Sequence, residues 1–417
     1  MKGIQSMYNN KRSFSGAKNN NGGRRSFKPG GNRGGGGGRR GPKKQYINPE
    51  MFVNKTVVLS EKPVAHVPEH MFSDFGFNKI IEDNLDHAGF VAPSAIQDKT
   101  IPFALEGRDV IGLANTGTGK TAAFLLPILN RLYKTRAQQS VLIMAPTREL
   151  AQQIDEEFKK FSHGMKLYSA ICVGGVNIMG QIRMLKRNPH VIIGTPGRLK
   201  DLENRGMLRL QDVDTFVLDE ADRMLDMGFV NDIREIAAML SPERQTLCFS
   251  ATISPGIKGI IHDFMKNPEM VSVKINETSD HIYQDVVLYD NDGHKKDLLL
   301  EMLKTSEFEK VIVFGETKFG VQRISDGLET HGIKSHAIHG NKSQSQRNRA
   351  LTAFKTDRAQ VLVATDVAAR GLDISDVSHV INFDTPQSYD DYVHRIGRTG
   401  RGGKNGTALT FIQNTRR

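Results

Sequence analysis

The sequence has no tryptophan, only two cysteines and no long apolar segment. Cys172 and Cys248 lie in separate apolar runs, which favours two buried thiols over a disulfide or a metal site. The apolar run at residues 122–126 is too short to cross a bilayer, and the N-terminus has no apolar stretch of the signal-peptide type. We therefore expect a cytoplasmic protein without membrane contact, whose 417 residues suffice for two or three domains.

Acidic side chains are absent from residues 1–45, which contain six Lys and six Arg. The other 45 basic residues are balanced by 46 acidic ones, so the net positive charge belongs to this tail. With few and scattered aromatics, the Gly- and Arg-rich tail cannot bury enough apolar surface to offset its ordering entropy, and we expect it to be disordered. Its Arg33-Gly34-Gly35 motif suits nonspecific contact with RNA, although a solvated linker is the alternative.

Short β-rich runs alternate with helical stretches, such as 121–133 and 149–161, from about residue 71 onward. The first set of predicted strands is 110–113, 141–145, 169–173, 191–194, 215–218 and 246–249, and the second set is 283–289, 311–314, 335–338, 361–364, 379–382 and 407–411. Such alternation indicates parallel, doubly wound sheets. We predict an α/β fold with two similar domains, 71–274 and 275–417, preceded by the tail (1–45) and an extended lead-in (46–70). Residues 267–281 are expected to form the connector.

A glycine-rich loop follows the first predicted strand and precedes an apolar helix start. The predicted nucleotide contacts within it are Thr116, Gly117, Thr118, Gly119, Lys120 and Thr121. Glycines allow backbone N–H groups to turn around phosphate oxygens, Lys120 neutralises those oxygens, and the Thr121 hydroxyl can hold Mg²⁺. Ala114 stands where the strict motif has its first glycine. A glycine-rich turn without a ligand is the alternative, but the strand and helix on either side argue against it.

A second motif, Asp219-Glu220-Ala221-Asp222, follows the apolar run Phe216-Val217-Leu218. It places carboxylates at the end of a buried strand, where α/β proteins bind ligands. Asp219 can hold the metal through its water shell, and Glu220 can polarise the attacking water. Together the two motifs predict a nucleotide hydrolase.

The ordered motifs over residues 72–412 resemble those of the DEAD-box RNA helicases, ATP-dependent members of helicase superfamily 2. The resemblance implies two tandem RecA-like domains. Residues 89–97, with Phe72 seventeen residues before Gly89, are similar to the family's Q motif. A Gln amide can pair with N6 and N7 of adenine and an aromatic ring can pack on the base, so Gln97, Phe90 and Phe72 are implied to hold ATP. Taken alone, Gln97 reads as an ordinary residue at a helix N-terminus.

Further segments resemble the RNA-backbone contacts and the coupling segments of the family. The implied RNA contacts are Pro146, Thr147, Arg148, Gly175, Thr195 and Arg198 in the first domain, and Gln344, Arg347 and Thr365 in the second. Helix N-termini, small residues and arginine suit a surface that follows phosphates. The implied coupling residues are Ser250, Thr252, Asp222 and His394. Asp373 is implied to meet the ribose, and Arg398 and Arg401 to act as arginine fingers on the transferred phosphoryl group.

The resemblance implies an RNA-dependent ATPase that separates short RNA duplexes or remodels RNA–protein complexes, as a monomer and with little sequence preference. Two alternatives remain: a DNA translocase of the same superfamily, and a non-catalytic RNA clamp. Gln97 and the Asp219–Asp222 motif argue against the first, and intact Lys120, Glu220 and Arg398 argue against the second. Two departures from the family pattern are Asn115 in the phosphate loop and Gly315-Glu316 after the strand at 311–314.

Overall fold

The computed structural model describes residues 48–54, 66–114, 117–273, 282–369, 374, 377–400 and 405–414, with Asp390 described by its backbone alone. The predicted disordered tail lies outside these ranges. So do three of the predicted site residues, Thr116, Asp373 and Arg401.

Two parallel sheets form the centres of two α/β domains. The strands of the first are β1 (Val110–Leu113), β2 (Val141–Met144), β3 (Ser169–Cys172), β4 (Val191–Gly194), β5 (Thr215–Leu218), β6 (Gln245–Ser250) and β7 (Glu269–Ser272). Those of the second are β8 (Ile282–Tyr289), β9 (Val311–Phe314), β10 (Ser335–Ile338), β11 (Val361–Ala364), β12 (His379–Asn382) and β13 (Gly406–Gln413). Every predicted strand is present and ends within two residues of its expected limits, so the α/β prediction is confirmed.

Helices connect the strands and cover both faces of the sheets. In the first domain they are α1 (Lys79–His87), α2 (Ala95–Leu105), α3 (Lys120–Thr135), α4 (Arg148–Phe161), α5 (Ile178–Leu185), α6 (Pro196–Glu203), α7 (Ala221–Asp226), α8 (Val230–Met239) and α9 (Pro255–Phe264). In the second they are α10 (Asp292–Leu303), α11 (Lys318–Thr330), α12 (Gln344–Lys355), α13 (Asp366–Ala369) and α14 (Tyr389–Ile396). Among these described helices, none has the length and apolar composition that a membrane span requires.

The strand orders bring distant motifs to one edge of each sheet. The first sheet runs β3-β4-β2-β5-β6-β1-β7 and the second β10-β11-β9-β12-β13-β8, with all pairs parallel. Strands β2, β4 and β5 are buried along their whole length because helices cover both faces, which explains their continuous apolar sequences. Since the strands are parallel, every loop that leaves a carboxyl end lies on the same edge of its sheet.

Strand β7 was not predicted, since Glu269–Ser272 falls within the expected connector. It pairs with β1 at the border of the first sheet, where only Val271 is buried among its residues. An edge strand that buries one side chain has no apolar run to reveal it. Residues 274–281 lie outside the described ranges, so the domain boundary near 275 stays a prediction.

The lead-in also differs from the extended segment that we expected. Residues Pro49–Phe52 form a 3₁₀ turn, and Phe52 packs into the core of the second domain with Ile282 and Tyr392. The two cysteines behave as predicted: both are buried free thiols, and burial raises the pKa of each to about 12.

Candidate nucleotide and RNA site

The phosphate loop leaves the carboxyl end of β1 and leads into α3. Gly117 and Gly119 have φ values of +85° and +91°, a region that side chains with a Cβ rarely adopt. A Cβ at Gly119 would also overlap the Gln97 amide. Lys120 is buried at the start of α3 and its Nζ donates to the Ala114 carbonyl at 2.9 Å. In the described part of the loop, the glycines therefore allow the turn into α3 and the lysine is folded inward.

The Q-motif segment is fastened to this loop. Ser94 Oγ donates to the Thr118 carbonyl at 2.7 Å, and Gln97 Nε2 donates to the Gly119 carbonyl at 3.1 Å. Gln97 Oε1 accepts from the Ser94 N–H at 2.9 Å, which makes a capping box at the start of α2. Gln97 thus caps the N-terminus of α2, as expected of an ordinary residue at that position. It also holds the phosphate loop. Its contact with adenine stays a prediction.

The two aromatics predicted to flank the base lie together. The ring centroids of Phe72 and Phe90 are 6.1 Å apart in an edge-to-face arrangement, and Phe90 packs on Phe161 at 5.4 Å. Phe72 is buried, whereas Phe90 is half-buried with the Lys160 ammonium 5.4 Å above its ring. Phe90 is therefore the more accessible of the two for a ligand ring.

Asp219 and Glu220 lie at the carboxyl end of β5 and are both buried. Burial raises the pKa of Asp219 to about 6, and the nearby charge of Lys120 opposes that rise. Glu220 adopts φ +53°, a strained value for a residue with a side chain. Its Oε2 lies 3.2 Å from Arg223 Nη1, close enough for an ion pair but without hydrogen-bond alignment. This buried oxygen therefore retains capacity to accept a hydrogen bond.

These residues fit a magnesium ion held with a nucleotide. The described residues contain no group of three or more His, Cys, Asp or Glu side chains arranged to hold a metal by themselves. Magnesium in nucleotide enzymes keeps several waters and binds through one or two carboxylates plus substrate phosphates. The buried Asp219 carboxylate and the Thr121 hydroxyl at the head of α3 provide such a partial set.

Asp222 joins the Asp-Glu-Ala-Asp loop to the segment after β6. Its Oδ2 accepts from the backbone N–H of Ala251 at 2.9 Å and of Thr252 at 3.0 Å, and the Thr252 hydroxyl lies 3.4 Å away. Ser250 Oγ donates to the Thr252 carbonyl at 2.8 Å. The structure thus brings three of the four predicted coupling residues into one hydrogen-bonded cluster. The fourth, His394, lies on α14 in the second domain.

The predicted RNA residues of the first domain follow β2, β3 and β4. The side chain of Thr147 caps α4 by accepting from the Leu150 N–H at 3.2 Å. The Arg148 guanidinium packs on the backbone of Gly175, whose φ is +70°, and a Cβ there would overlap it. Burial lowers the pKa of Arg148; the charge of Glu149 opposes this shift, and the charges of Arg347 and Arg198 add to it. The positive charge that these arginines place at one edge of the sheet favours an anion such as phosphate. Pro146 and Thr195 lie at the same edge, each just before a helix.

The two domains meet at this cluster. Arg347 of α12 donates from Nε to Glu149 Oε1 of α4 at 2.7 Å, and both side chains are nearly buried, at 11% and 5% exposure. Gln344 Nε2 lies 3.2 Å from the same Glu149 oxygen. Arg347 also donates to the Ala368 carbonyl at 3.3 Å. Two residues predicted to contact RNA are therefore engaged with Glu149, a residue that the sequence did not single out.

The arginine-rich end of α14 is organised by Arg395, another residue that the sequence did not single out. Its guanidinium binds both Asp366 oxygens, at 2.6 and 2.7 Å, and donates to the Asp384 carbonyl at 2.6 Å. Arg398, predicted as an arginine finger, is buried just beyond the helix, and Thr365 is half-buried beside Asp366. The sequence could not show which arginine of this motif is held by a carboxylate of the protein, because the arginines follow one another at a regular spacing. The role of Arg398 as an arginine finger stays a prediction.

The unusual Gly315-Glu316 pair has a local explanation. A Cβ at Gly315 would press on Val321 at 2.9 Å, so the turn into α11 favours glycine. The Glu316 N–H donates to Asp384 Oδ2 at 2.9 Å, and the other oxygen of Asp384 accepts from Lys295 at 2.9 Å. The backbone N–H of Glu316 thus helps to hold the turn.

Comparisons with known proteins agree with this geometry. Residues 94–260 match the DEAD/DEAH box helicase family and residues 294–403 match the helicase conserved C-terminal domain. The ATP-dependent RNA helicase CshA of Listeria monocytogenes is 47% identical over 82% of this chain and 66% of its own length. The DEAD-box ATP-dependent RNA helicases CshA of Geobacillus kaustophilus and Bacillus subtilis are 47% and 46% identical, over 82% of this chain and 73% and 69% of their own lengths.

Solved structures of two-domain helicases superpose on the chain. Saccharomyces cerevisiae Dbp5 bound to RNA and ADP BeF3 is 31% identical with a TM-score of 0.73, covering 83% of this chain and 90% of its own. Mss116p bound to ssRNA and AMP-PNP is 32% identical with a TM-score of 0.75, covering 82% of this chain and 74% of its own. The family match, the relatives and the fold agree, and the chain belongs to the DEAD-box family of ATP-dependent RNA helicases.

Proposed function

We propose that the chain hydrolyses ATP in response to RNA and uses this cycle to separate short RNA duplexes or remodel RNA–protein complexes. The observation that carries the proposal is the order of loops along the carboxyl edge of the first sheet. The predicted RNA loops follow the neighbouring strands β3, β4 and β2, and the nucleotide loops follow β5, β6 and β1. We call the loops after β5, β6 and β1 the nucleotide half of this edge, and the loops after β3, β4 and β2 the RNA half. The hydrogen-bonded cluster of Asp222, Ser250 and Thr252 lies in the nucleotide half, between the phosphate loop and the RNA half.

In the nucleotide half, Lys120 would leave the Ala114 carbonyl to neutralise the ATP phosphates, and Thr121 and Asp219 would hold Mg²⁺. When bound, Mg²⁺ supplies charge neutralisation for the phosphate oxygens. Glu220 would orient the attacking water with its unaligned, buried Oε2. Burial excludes competing water from this carboxylate, so its hydrogen bond with the attacking water would be strong. Gln97, Phe90 and Phe72 would read the adenine, and Asp373 the ribose.

The second domain completes the site. Arg398 and Arg401 would stabilise charge on the transferred phosphoryl oxygens. Because ATP and RNA each contact residues of both domains, each ligand favours the closed arrangement and so strengthens binding of the other. The Glu149–Arg347 contact gives this closure a specific ion pair at the RNA edge. Hydrolysis would weaken the closed arrangement and release RNA.

RNA recognition would use the backbone and 2′-hydroxyls, with little sequence preference. Arg148 and Arg198 would present positive charge to the RNA backbone near helix starts, and the absence of a side chain at Gly175 leaves room for the Arg148 guanidinium. By family resemblance the closed cleft bends the bound strand, so a short duplex separates without long translocation. Residues 1–45 would add nonspecific contacts through their twelve positive charges.

The test is ATP hydrolysis by the full chain with and without single-stranded RNA, with GTP and single-stranded DNA as controls. Strong stimulation by RNA and by ATP alone supports the proposal. Equal stimulation by DNA would favour a DNA translocase, and absence of turnover would favour an RNA clamp. Glu220→Gln is the matched variant, because it keeps the side-chain volume and removes the carboxylate. We propose further that the enzyme works as a monomer in the cytoplasm, which light scattering and cell fractionation can test.

A further inference from the structure

Residues 48–54, which we call the strap, precede the first domain in sequence but dock on the second. Asn48 caps the 3₁₀ turn Pro49–Phe52 by accepting from the Glu50 N–H at 3.1 Å. Phe52 is 1% exposed, and its ring centroid lies 4.7 Å from that of Tyr392 on α14. A fully buried aromatic side chain within a seven-residue segment indicates a specific docking contact rather than a loop that only crosses the surface.

Backbone pairing fixes the strap at its other end. The N–H of Asn54 donates to the Gln284 carbonyl and the N–H of Gln284 donates to the Asn54 carbonyl, both at 2.9 Å. Gln284 lies on β8, the border strand of the second sheet, so the strap covers a sheet edge. The Gln284 side chain accepts from the Tyr392 hydroxyl at 2.9 Å in the buried interior. Strap, edge strand and α14 therefore form one packed unit.

The same stretch of chain is also anchored to the first domain. The N–H groups of Glu69 and His70 donate to Asp98 at 2.8 and 3.2 Å, and the His70 ring contacts it at 2.8 Å. Asp98 is buried on α2, directly after Gln97 of the Q motif. The lead-in thus joins the two domains by a covalent route separate from residues 274–281, and its anchors are the Q-motif helix and α14.

We propose that the strap positions α14, and with it Arg398, for ATP hydrolysis; this rests on the proposed role of Arg398 as an arginine finger. The helix is held at two points on its length. At the first point, Arg395 donates two hydrogen bonds to Asp366. At the second, Tyr392 packs on Phe52 of the strap and donates to Gln284. Arg398 follows the end of the helix by two residues, so a rotation of α14 after loss of the strap would displace its guanidinium. Phe52 is a positioning residue in this scheme and touches neither ATP nor RNA.

The experiment compares Phe52→Ala with Met51→Ala in the full chain. Met51 is half-exposed on the same turn. Met51→Ala therefore changes the sequence of the strap but keeps the buried Phe52 contact, and it serves as the control. Phe52→Leu keeps a buried apolar side chain and is the conservative variant. For each we would measure turnover at saturating ATP and RNA, the Michaelis constants, and hydrogen exchange of the Asn54 and Gln284 amides. A synthetic peptide of residues 46–58, added in excess, tests recovery in trans against the same peptide with Phe52→Ala.

We expect Phe52→Ala to lower kcat by about 10- to 100-fold, since misplacement of a catalytic group by about 1 Å can cost 10²-fold. The Michaelis constant for ATP should change less than kcat, because the proposed ATP contacts of Lys120 and Gln97 lie in the other domain. Phe52→Leu should recover most of the turnover, and the wild-type peptide should restore Phe52→Ala where the altered peptide does not.

Faster amide exchange at Asn54 with unchanged kcat would overturn the proposal, because the strap would then be undocked without effect. If Phe52→Ala does not fold, Asn54→Pro removes the N–H that donates to Gln284 without touching the core. Turnover, the Michaelis constants and hydrogen exchange of the Gln284 amide are then the readouts. Absence of RNA-stimulated hydrolysis in the wild type would refute the proposed function itself. RNA-stimulated hydrolysis in the wild type together with unchanged turnover in the strap variants would refute only the proposed positioning role of the strap.

Discussion

The ion pair between Glu149 and Arg347 predicts how strongly closure of the two domains depends on one contact. The pair is nearly buried, with 2.7 Å between Arg347 Nε and Glu149 Oε1. Removing one partner of a buried pair leaves an uncompensated charge and costs about 3–5 kcal/mol in a fixed structure. In the proposed cycle the two domains separate, which hydrates the remaining charge, so we expect the penalty to be observed as weaker closure of the domains.

We expect Glu149→Gln and Arg347→Met each to reduce the factor by which an ATP analogue strengthens RNA binding. The reduction should be about 10- to 100-fold, because each tenfold corresponds to about 1.4 kcal/mol and only part of the buried-charge penalty is retained. The assay is RNA binding by fluorescence anisotropy, with and without a non-hydrolysable ATP analogue. Arg349→Met, an exposed change on the same helix, is the control.

The double variant decides the interpretation. If Glu149 and Arg347 act as a pair, the double variant should lose much less than the two single losses combined, with an interaction energy above about 0.5 kcal/mol. If Arg347 instead contacts an RNA phosphate, its replacement should lower the salt slope of RNA binding by about one, and Glu149→Gln should not. Additive losses would refute the pairing argument.

Three further predictions follow from the site and the core. Glu220→Gln should bind ATP and RNA but hydrolyse at least about 10²-fold more slowly, since a positioned base contributes roughly that much; near-normal turnover would remove Glu220 from its role. Deletion of residues 1–45 should weaken RNA binding and flatten its salt dependence while sparing basal ATPase, and unchanged affinity at low salt would contradict this. His379 stacks on Phe308 with centroids 4.1 Å apart, and burial lowers its pKa from 6.5 to about 4. The unfolded chain therefore binds that proton more readily, so the free energy of unfolding should fall as pH drops from 6.5 to about 4. Urea titrations of the wild type and His379→Leu should diverge over this interval, and parallel curves would exclude His379 as the cause.

Local patterns were enough to predict most of the fold and the loops of the site. Runs such as Val141–Met144 and Val361–Ala364 are apolar throughout because both faces of each strand are buried, so the sequence alone locates them. Phosphate loops and strand-end carboxylates are equally local, since their chemistry needs neighbouring residues. The α/β class and the order of motifs were therefore predictable.

Contacts between distant residues were not predictable in this way. Glu149 and Arg347 are 198 residues apart, and Arg395 meets Asp366 only once α14 packs over the second sheet. No periodicity distinguishes a charged residue with a buried partner from one that faces solvent. The same holds for Phe52, because the apolar run Met51-Phe52-Val53 is too short to predict which of its side chains is buried. Family resemblance supplied roles for motif residues but gave no indication of these structural pairs.

The docked strap imposes an order on the synthesis of the protein. Phe52 leaves the ribosome early, whereas Tyr392 follows about 340 residues later, a delay of roughly 15 to 70 s at about 5–20 residues per second. During that interval the first domain can fold, but Phe52 has no partner ring and the strand edge that Asn54 pairs with does not yet exist. The packing of the second domain is consequently completed by a segment that is synthesised before the first domain. Growing chains halted before α14 should therefore leave this segment open to proteases and chaperones, and release of the full chain should protect it.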